Sequence, residues 1–312
     1  MAGSIGNLAA RATGRGARTN TEPRWVQWII IGLGLMFLSI LLILPLASVL
    51  VTALSKGPGA SWEALRDADT IASIKLTLLT VLVSVPLNVL FGITAAWSIA
   101  KFDFIGKQLL ITLIDLPFSV SPVISGIIFI LLFGANGLLG PTLTEHGIRI
   151  IFAPPGIIIA TMFVTFPFVA RELIPLMQAQ GRDDEEAAIS LGASGLRTFL
   201  TVTIPNIKWG LLYGVILCNA KALGEFGAVS VVSGHIRGET NTVPLHVEIL
   251  YNEYKPVAAF SVASILVILA VGTIVLKNLI EWKAARDFAR IRAEQEAAAE
   301  AGAALQPVPA AE

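Results

Sequence analysis

Residues Asp183–Gly210 read DDEEAAISLGASGLRTFLTVTIPNIKWG, and this stretch lies between two long apolar runs. Asp183, Asp184, Glu185 and Glu186 open it. Acidic groups favour the positive end of a helix dipole, so a helix is expected to start there. Ala187, Ala188 and Leu191 cluster on one face, and Leu196, Phe199 and Leu200 follow after the GASG break. Gly192 and Gly195 allow the backbone to bend or to approach another surface closely. Pro205 is expected to end or bend the next segment before Trp209 re-enters the membrane. The pattern predicts a short helix–turn–helix at a membrane surface. It reads either as an interfacial linker whose apolar face dips into lipid or as a docking element for a partner protein. The acidic cluster argues against simple adhesion to anionic lipid.

The chain around it is built for a bilayer. Of 312 residues, 55% are hydrophobic and 14% charged, against roughly 25% charged in soluble domains. Six apolar blocks stand out, at about 28–54, 74–99, 108–133, 155–177, 208–232 and 257–280. Each is long enough to cross a hydrocarbon core of ~30 Å. The first apolar run exceeds a signal-peptide core and lacks a small-x-small cleavage site, so it reads as an uncleaved span. Arg11, Arg15, Arg18 and Arg24 precede it, and Lys101, Lys107, Arg171, Arg182, Arg197 and Lys208 fall in connections on the same side. Lys277, Lys283, Arg286, Arg290 and Arg292 end on that side too, which places both termini and the 183–210 segment in the cytoplasm. Trp25, Trp28, Trp97, Trp209 and Trp282 sit at block ends, where indole rings favour the headgroup level, while Trp62 falls in a loop.

Several function classes drop out. Net charge is +0, so no basic field attracts nucleic acid. Cys218 is the single cysteine and precludes an internal disulfide. No Walker motif occurs, so ATP hydrolysis would belong to another chain, and no residue set reads as catalytic. His146, His235 and His246 fall in predicted periplasmic connections without zinc-site spacing. The SGHIRGETNTVPLHVE stretch reads as a partner-facing loop in which Arg237, Glu239 and Glu248 are contact candidates.

Glu186-Ala187-Ala188, Gly192, Val202, Ile204 and Pro205 match, in type and spacing, the cytoplasmic loop of ABC importer permeases. Val202 and Ile204 are mild departures from the more usual isoleucine and leucine. The runs DLPFSVSPVISG, LFGANGLLG, VTFPFVARELIP and GEFGAVSVVSGHIRGET further resemble the W-type permease of bacterial sulfate/thiosulfate importers, over nearly the whole span from Trp28 to Trp282. The resemblance implies an all-α integral membrane protein with six transmembrane helices in the type I ABC importer permease fold. It implies a tail at 1–24, a permease domain at 25–282 containing a coupling segment at 183–205, and a tail at 283–312. It also implies a bacterial inner-membrane location, a T-type permease partner, two ATPase subunits and a periplasmic sulfate- or thiosulfate-binding protein. ATP and Mg would be used by the ATPase, with no cofactor on this chain. A molybdate or tungstate importer is the first rival reading, since such permeases share ALGEFGA; a passive anion channel and a scaffold are others.

Within the apolar blocks, Lys221 and Glu225 are four residues apart and expected on one helical face. They read either as a packing ion pair or as a gate, because charges in a bilayer are costly. Lys221 replaces the more usual arginine of the family, which loses a bidentate fork. Pro86, Pro117, Pro122, Pro167 and Pro175 mark expected bends. Asp115, Ser119 and Ser121 beside them are candidate passage residues, and Ser125 shares that stretch.

Overall fold

The computed structural model describes residues 23–304; residues 1–22 of the predicted tail at 1–24 and the last eight residues lie outside this range. All its regular elements are helical. The chain divides into two units, residues 1–48 and 49–312. Helix α1 (Arg24–Leu54), most of which belongs to the first unit, carries no charged residue after Arg24 and is long and apolar enough for a single span.

The second unit is assembled around two long helices, α3 (Ala68–Lys101) and α7 (Pro154–Gln180). One face of α3 buries Thr70, Ser73, Thr77, Thr80, Ser84 and Asn88, spaced three or four apart. This is a polar stripe facing inward, the reverse of a soluble amphipathic helix. Asn88 Nδ2 donates to Thr165 Oγ1 at 2.7 Å and to the Met162 carbonyl at 3.2 Å, both on α7. Ser84 Oγ reaches the Ile158 carbonyl at 3.4 Å. Below the stripe the backbones close up. A Cβ on Gly92 would sit 2.8 Å from the Val169 Cβ and 3.2 Å from the Ala170 nitrogen. Val85, Ala96, Val169, Leu173, Met177 and Cys218 fill the same core. Helix α2 (Pro58–Arg66) precedes α3, so Trp62 lies on a helix and not in a loop.

Two predicted spans are broken. The 108–133 block forms α4 (Lys107–Ser119) and α5 (Pro122–Phe133), with a direction change of 110°. Pro122 has no N–H to donate and disfavours helix at Ser121, so the chain turns there. Pro86, Pro167 and Pro175, by contrast, lie inside continuous helices. The 208–232 block likewise splits: α10 (Ile204–Leu223) stops at Gly224, and α11 (Gly227–Ser233) starts after Phe226. The two breaks pack together. A Cβ on Gly227 would lie 3.0 Å from the Pro122 Cβ, and one on Gly126 2.7 Å from the Val231 Cβ. Five described helices are long and apolar enough to cross a membrane, with the bent α4–α5 pair as a sixth candidate. A short α6 (Gly140–Glu145) links α5 to α7.

The remaining helices are α8 (Asp183–Ser190), α9 (Gly195–Thr198), α12 (Val243–Asn252) and α13 (Pro256–Ala304). The expected partner-facing stretch 233–248 divides: Gly234, His235, Arg237, Gly238 and Glu239 are exposed and Glu248 half-buried, whereas the part from Thr240 on is mostly interior. Thr240, Asn241 and Thr242 are buried, and His246 lies within α12 at 2% exposure. Thr70 Oγ1 donates to the Ala64 carbonyl, so at 3.1 Å from His246 Nε2 it accepts. Nε2 is then the donor of that bond, and burial pushes the imidazole pKa below the usual range. Arg237 is engaged with Glu253.

Gly92→Leu should force α3 from α7 and cost about 1–3 kcal/mol. Loss of monodisperse protein in detergent would register it, while Gly32→Leu, whose Cβ meets nothing within 4 Å, should behave as wild type.

Candidate functional site: the 183–205 segment and the broken helices

The coupling candidate is held by a residue that the motif does not contain. Lys101 ends α3, and its Nζ lies 2.8 Å from Glu185 Oε2. The same ammonium donates to the Gly181 carbonyl. Thr203 Oγ1 donates to Glu185 Oε1 at 2.7 Å, so one carboxylate joins the end of α3 to the segment leading into α10. Lys101 and Glu185 side chains are only 7% and 16% exposed. Such a pair is retained only with good geometry and full hydrogen bonding, and losing one partner leaves a stranded charge. Asp184 accepts from Asn206 Nδ2 at 3.0 Å, and Gln180 Nε2 donates to the Asn206 carbonyl at 2.8 Å. Trp97 packs edge-on against Phe102 and Phe199, with centroids at 5.0 and 5.3 Å. Asp103 sits between Lys107 at 3.0 Å and Arg182 at 3.7 Å. The Lys107 hydrogen bond and charge hold its carboxyl below the usual range.

Of the motif residues, Glu186 and Ala187 are exposed and Ala188 half-buried. The Glu186 carboxylate has no ion-pair partner among the described residues, unlike Glu185. Gly192 has φ +91, and its substituent would meet nothing within 4 Å. Its N–H donates to the Ile189 carbonyl and the Ala193 N–H to the Ala188 carbonyl, which forms a Schellman end to α8. Backbone handedness, not space, therefore calls for glycine at 192. Pro205 does not end the helix. It is the second residue of α10 and follows directly on a π-helical turn, where the regular hydrogen-bond ladder is already interrupted. Helix runs on from Gly195 to Leu223 through a π-helical turn at Phe199–Thr203. That turn puts Phe199 against Trp97 and Thr203 against Glu185. Outward remain Ile189, Leu191, Leu196 and Leu200, with Leu191 90% exposed. The result is an apolar ridge on a fixed base.

The membrane-level candidates fall into two groups. Lys221 Nζ lies 2.9 Å from Glu225 Oε2, but Glu225 is past the helix end and not on a shared helical face. Its Oε1 accepts from the Ala228 N–H at 3.1 Å, so it also caps α11. Asp115 pairs with Arg171 at 2.9 Å. Arg171 is thus within α7, not in the cytoplasmic connection expected from charge counting. Ser119 and Ser121 flank the bend and are exposed, whereas Ser125 is buried and bonds the Ser121 carbonyl. Sequence reasoning missed Lys101, Glu185 and Arg171 as site residues. The only signal was the DDEE cluster itself, because their partners lie in distant segments.

Residues 88–286 match the model of the binding-protein-dependent transport system inner membrane component family, and the chain belongs to that family. Within it, the chain is 47% identical over 279 residues to the sulfate transport system permease protein CysW of Escherichia coli (strain K12), covering 89% of this chain and 96% of the relative. It is 36% identical to the sulfate transport system permease protein CysT of Salmonella typhimurium, covering 80% and 89%. Among solved structures, the fold is similar to a chain of a bacterial alginate ABC transporter in complex with an alginate pentasaccharide-bound periplasmic protein. The TM-score is 0.70 at 16% identity, over 82% of this chain and 93% of that one. The fold is thus that of an ABC transporter permease.

Lys101→Met should strand Glu185 and cost about 3–5 kcal/mol locally. Hydrogen exchange of the 183–205 amides should accelerate while exchange in the α3–α7 core stays unchanged.

Proposed function

We propose that this chain is the W-type permease subunit of an ATP-driven importer of sulfate and thiosulfate. It forms part of the passage and couples it to an ATPase. The observation that carries this reading is the 183–205 segment: the importer-permease motif, folded as an exposed apolar ridge locked to α3, α7 and α10. A ridge fixed in this way transmits a push from a docked partner to the spans instead of absorbing it. Kinship to permeases named for sulfate transport supports the cargo and disfavours molybdate or tungstate. A passive channel has no use for such a ridge.

In this reading the segment and both termini face the bacterial cytoplasm. A T-type permease completes the passage, two ATPase subunits dock beneath, and a periplasmic binding protein delivers the anion. ATP and Mg act on the ATPases. Nucleotide binding draws the ATPases together and biases two membrane conformations, so access alternates. This chain supplies no acid, base or nucleophile.

Labelled sulfate uptake into proteoliposomes containing both permeases and the ATPase should require internal ATP and external loaded binding protein. Import of molybdate but not sulfate under those conditions would overturn the cargo while leaving the coupling. Gly192→Asp places a side chain at positive φ, a strain of about 1–2 kcal/mol, which corresponds to roughly 5–30-fold in an equilibrium. Recovery of the ATPase by co-purification should fall accordingly while membrane insertion persists; equal recovery would refute the assignment.

A further inference from the structure

The exposed ion pair between α4 and α7 has no role in the ridge or in the core. Arg171 lies nine residues before Gln180, the end of α7 that adjoins the coupling segment. At 1.5 Å per residue that is roughly 14 Å of axis. Asp115 lies eight residues into α4, roughly 12 Å from Lys107. The whole of α7 is 27 residues, about 40 Å, and so overhangs a ~30 Å hydrocarbon core by only ~5 Å at each end. The pair is therefore at membrane depth. Its side chains are nonetheless 56% and 38% exposed. A charge so placed is too costly to face lipid and belongs against water or protein.

The geometry of the guanidinium is specific. Asp115 Oδ1 takes Nε at 2.9 Å. The Phe118 ring lies 5.0 Å from the guanidinium carbon and is itself braced edge-on by Phe168 at 5.4 Å. No other partner of Arg171 is found among the described residues, so the terminal amino groups remain free. Planar paired N–H donors match the oxygens of a tetrahedral oxyanion. Lys221 repeats the pattern: the cation is 39% exposed and its carboxylate 1%. In both pairs the cation is the outer member and a fixed carboxylate lies behind it.

We propose that Arg171 is an oxyanion contact of the passage, its guanidinium held by Asp115 and Phe118 with the terminal amino groups presented to the passing dianion. The inference rests on the importer reading above and adds a residue to it. The resident carboxylate explains how such a contact lets go. It offsets the attraction of an isolated cation, so the dianion is met but not trapped. Asp115 is a positioning residue here, and Ser119, one helical turn on, shares its face of α4.

The test uses the assembled complex with Ser119→Cys as a reporter beside Arg171; Cys218 is fully buried and serves as the background. A sulfonate-bearing thiol reagent should modify the reporter faster than an ammonium-bearing one, and sulfate should slow it. Adding Arg171→Gln should reverse the preference. In the otherwise wild-type complex, Arg171→Gln should lower sulfate uptake per ATP hydrolysed by about tenfold or more, as expected for one lost charge-assisted hydrogen bond. ATPase docking and recovery of the second permease should be retained. Loss of the second permease on Arg171→Gln, or a reporter unreactive to both reagents, would overturn the proposal and make the pair an interface contact. If the wild-type complex imports no sulfate yet the reporter keeps its Arg171-dependent anion preference, the cargo assignment falls and the oxyanion contact stands.

Discussion

Two helices in lipid gain little from hiding apolar side chains from each other, because the surrounding tails are just as apolar. Close approach and hydrogen bonds must hold them. In this protein both devices occur along one contact, between α3 and α7. Gly92 lets the backbones meet at Val169 and Ala170. Asn88 bonds both a side chain and a carbonyl of α7, and its amide also lies 3.8 Å from Cys218 Sγ on α10. Three helices thereby share one polar knot inside the core.

The other elements take their places from that contact. Because α3 and α7 are fixed to each other, their ends are fixed as well. Lys101 at the end of α3 then holds the 183–205 segment through Glu185, and Gln180 at the end of α7 ties down Asn206 just beyond it. Its ridge of Leu191, Leu196 and Leu200 is left outward, exposed among the described residues. The broken helices occupy the opposite role. A helix that ends inside a membrane frees backbone groups that something must satisfy. Glu225 does so for α11, and the close packing of Gly227 on Pro122 joins the two breaks. Glu225 thus stands where regular helix stops, between α10 and α11.

Much of this was legible in the residues. Long apolar runs reveal themselves by length alone, and the Glu186-to-Pro205 spacing carries a family resemblance without any coordinates. The acidic start of α8 and the glycine at 192 follow from dipole and handedness rules. Pro205 does not end the helix as expected, because a proline that stops a helix and one that a helix carries through look alike in sequence. The helix running on from Gly195 to Leu223 decides between them. In the 233–248 stretch the sequence does not separate the exposed part, residues 234–239, from the buried part that follows. Thr240, Asn241 and His246 are buried because α3 presents its own polar stripe there, with Thr70 meeting His246 and Thr77 accepting from Val243.

The sequence by itself determined that the chain lives in a bilayer, roughly where its spans run, and that residues 186–205 resemble the cytoplasmic loop of importer permeases. These are local properties of composition and spacing. Only the tertiary structure decided which carboxylate of the acidic cluster is structural and which is free, where two spans break, and that Arg171 is paired with Asp115. Each of those depends on a partner brought close by folding. Glu185 and Glu186 are neighbours in sequence and chemically alike, yet only one of them faces Lys101.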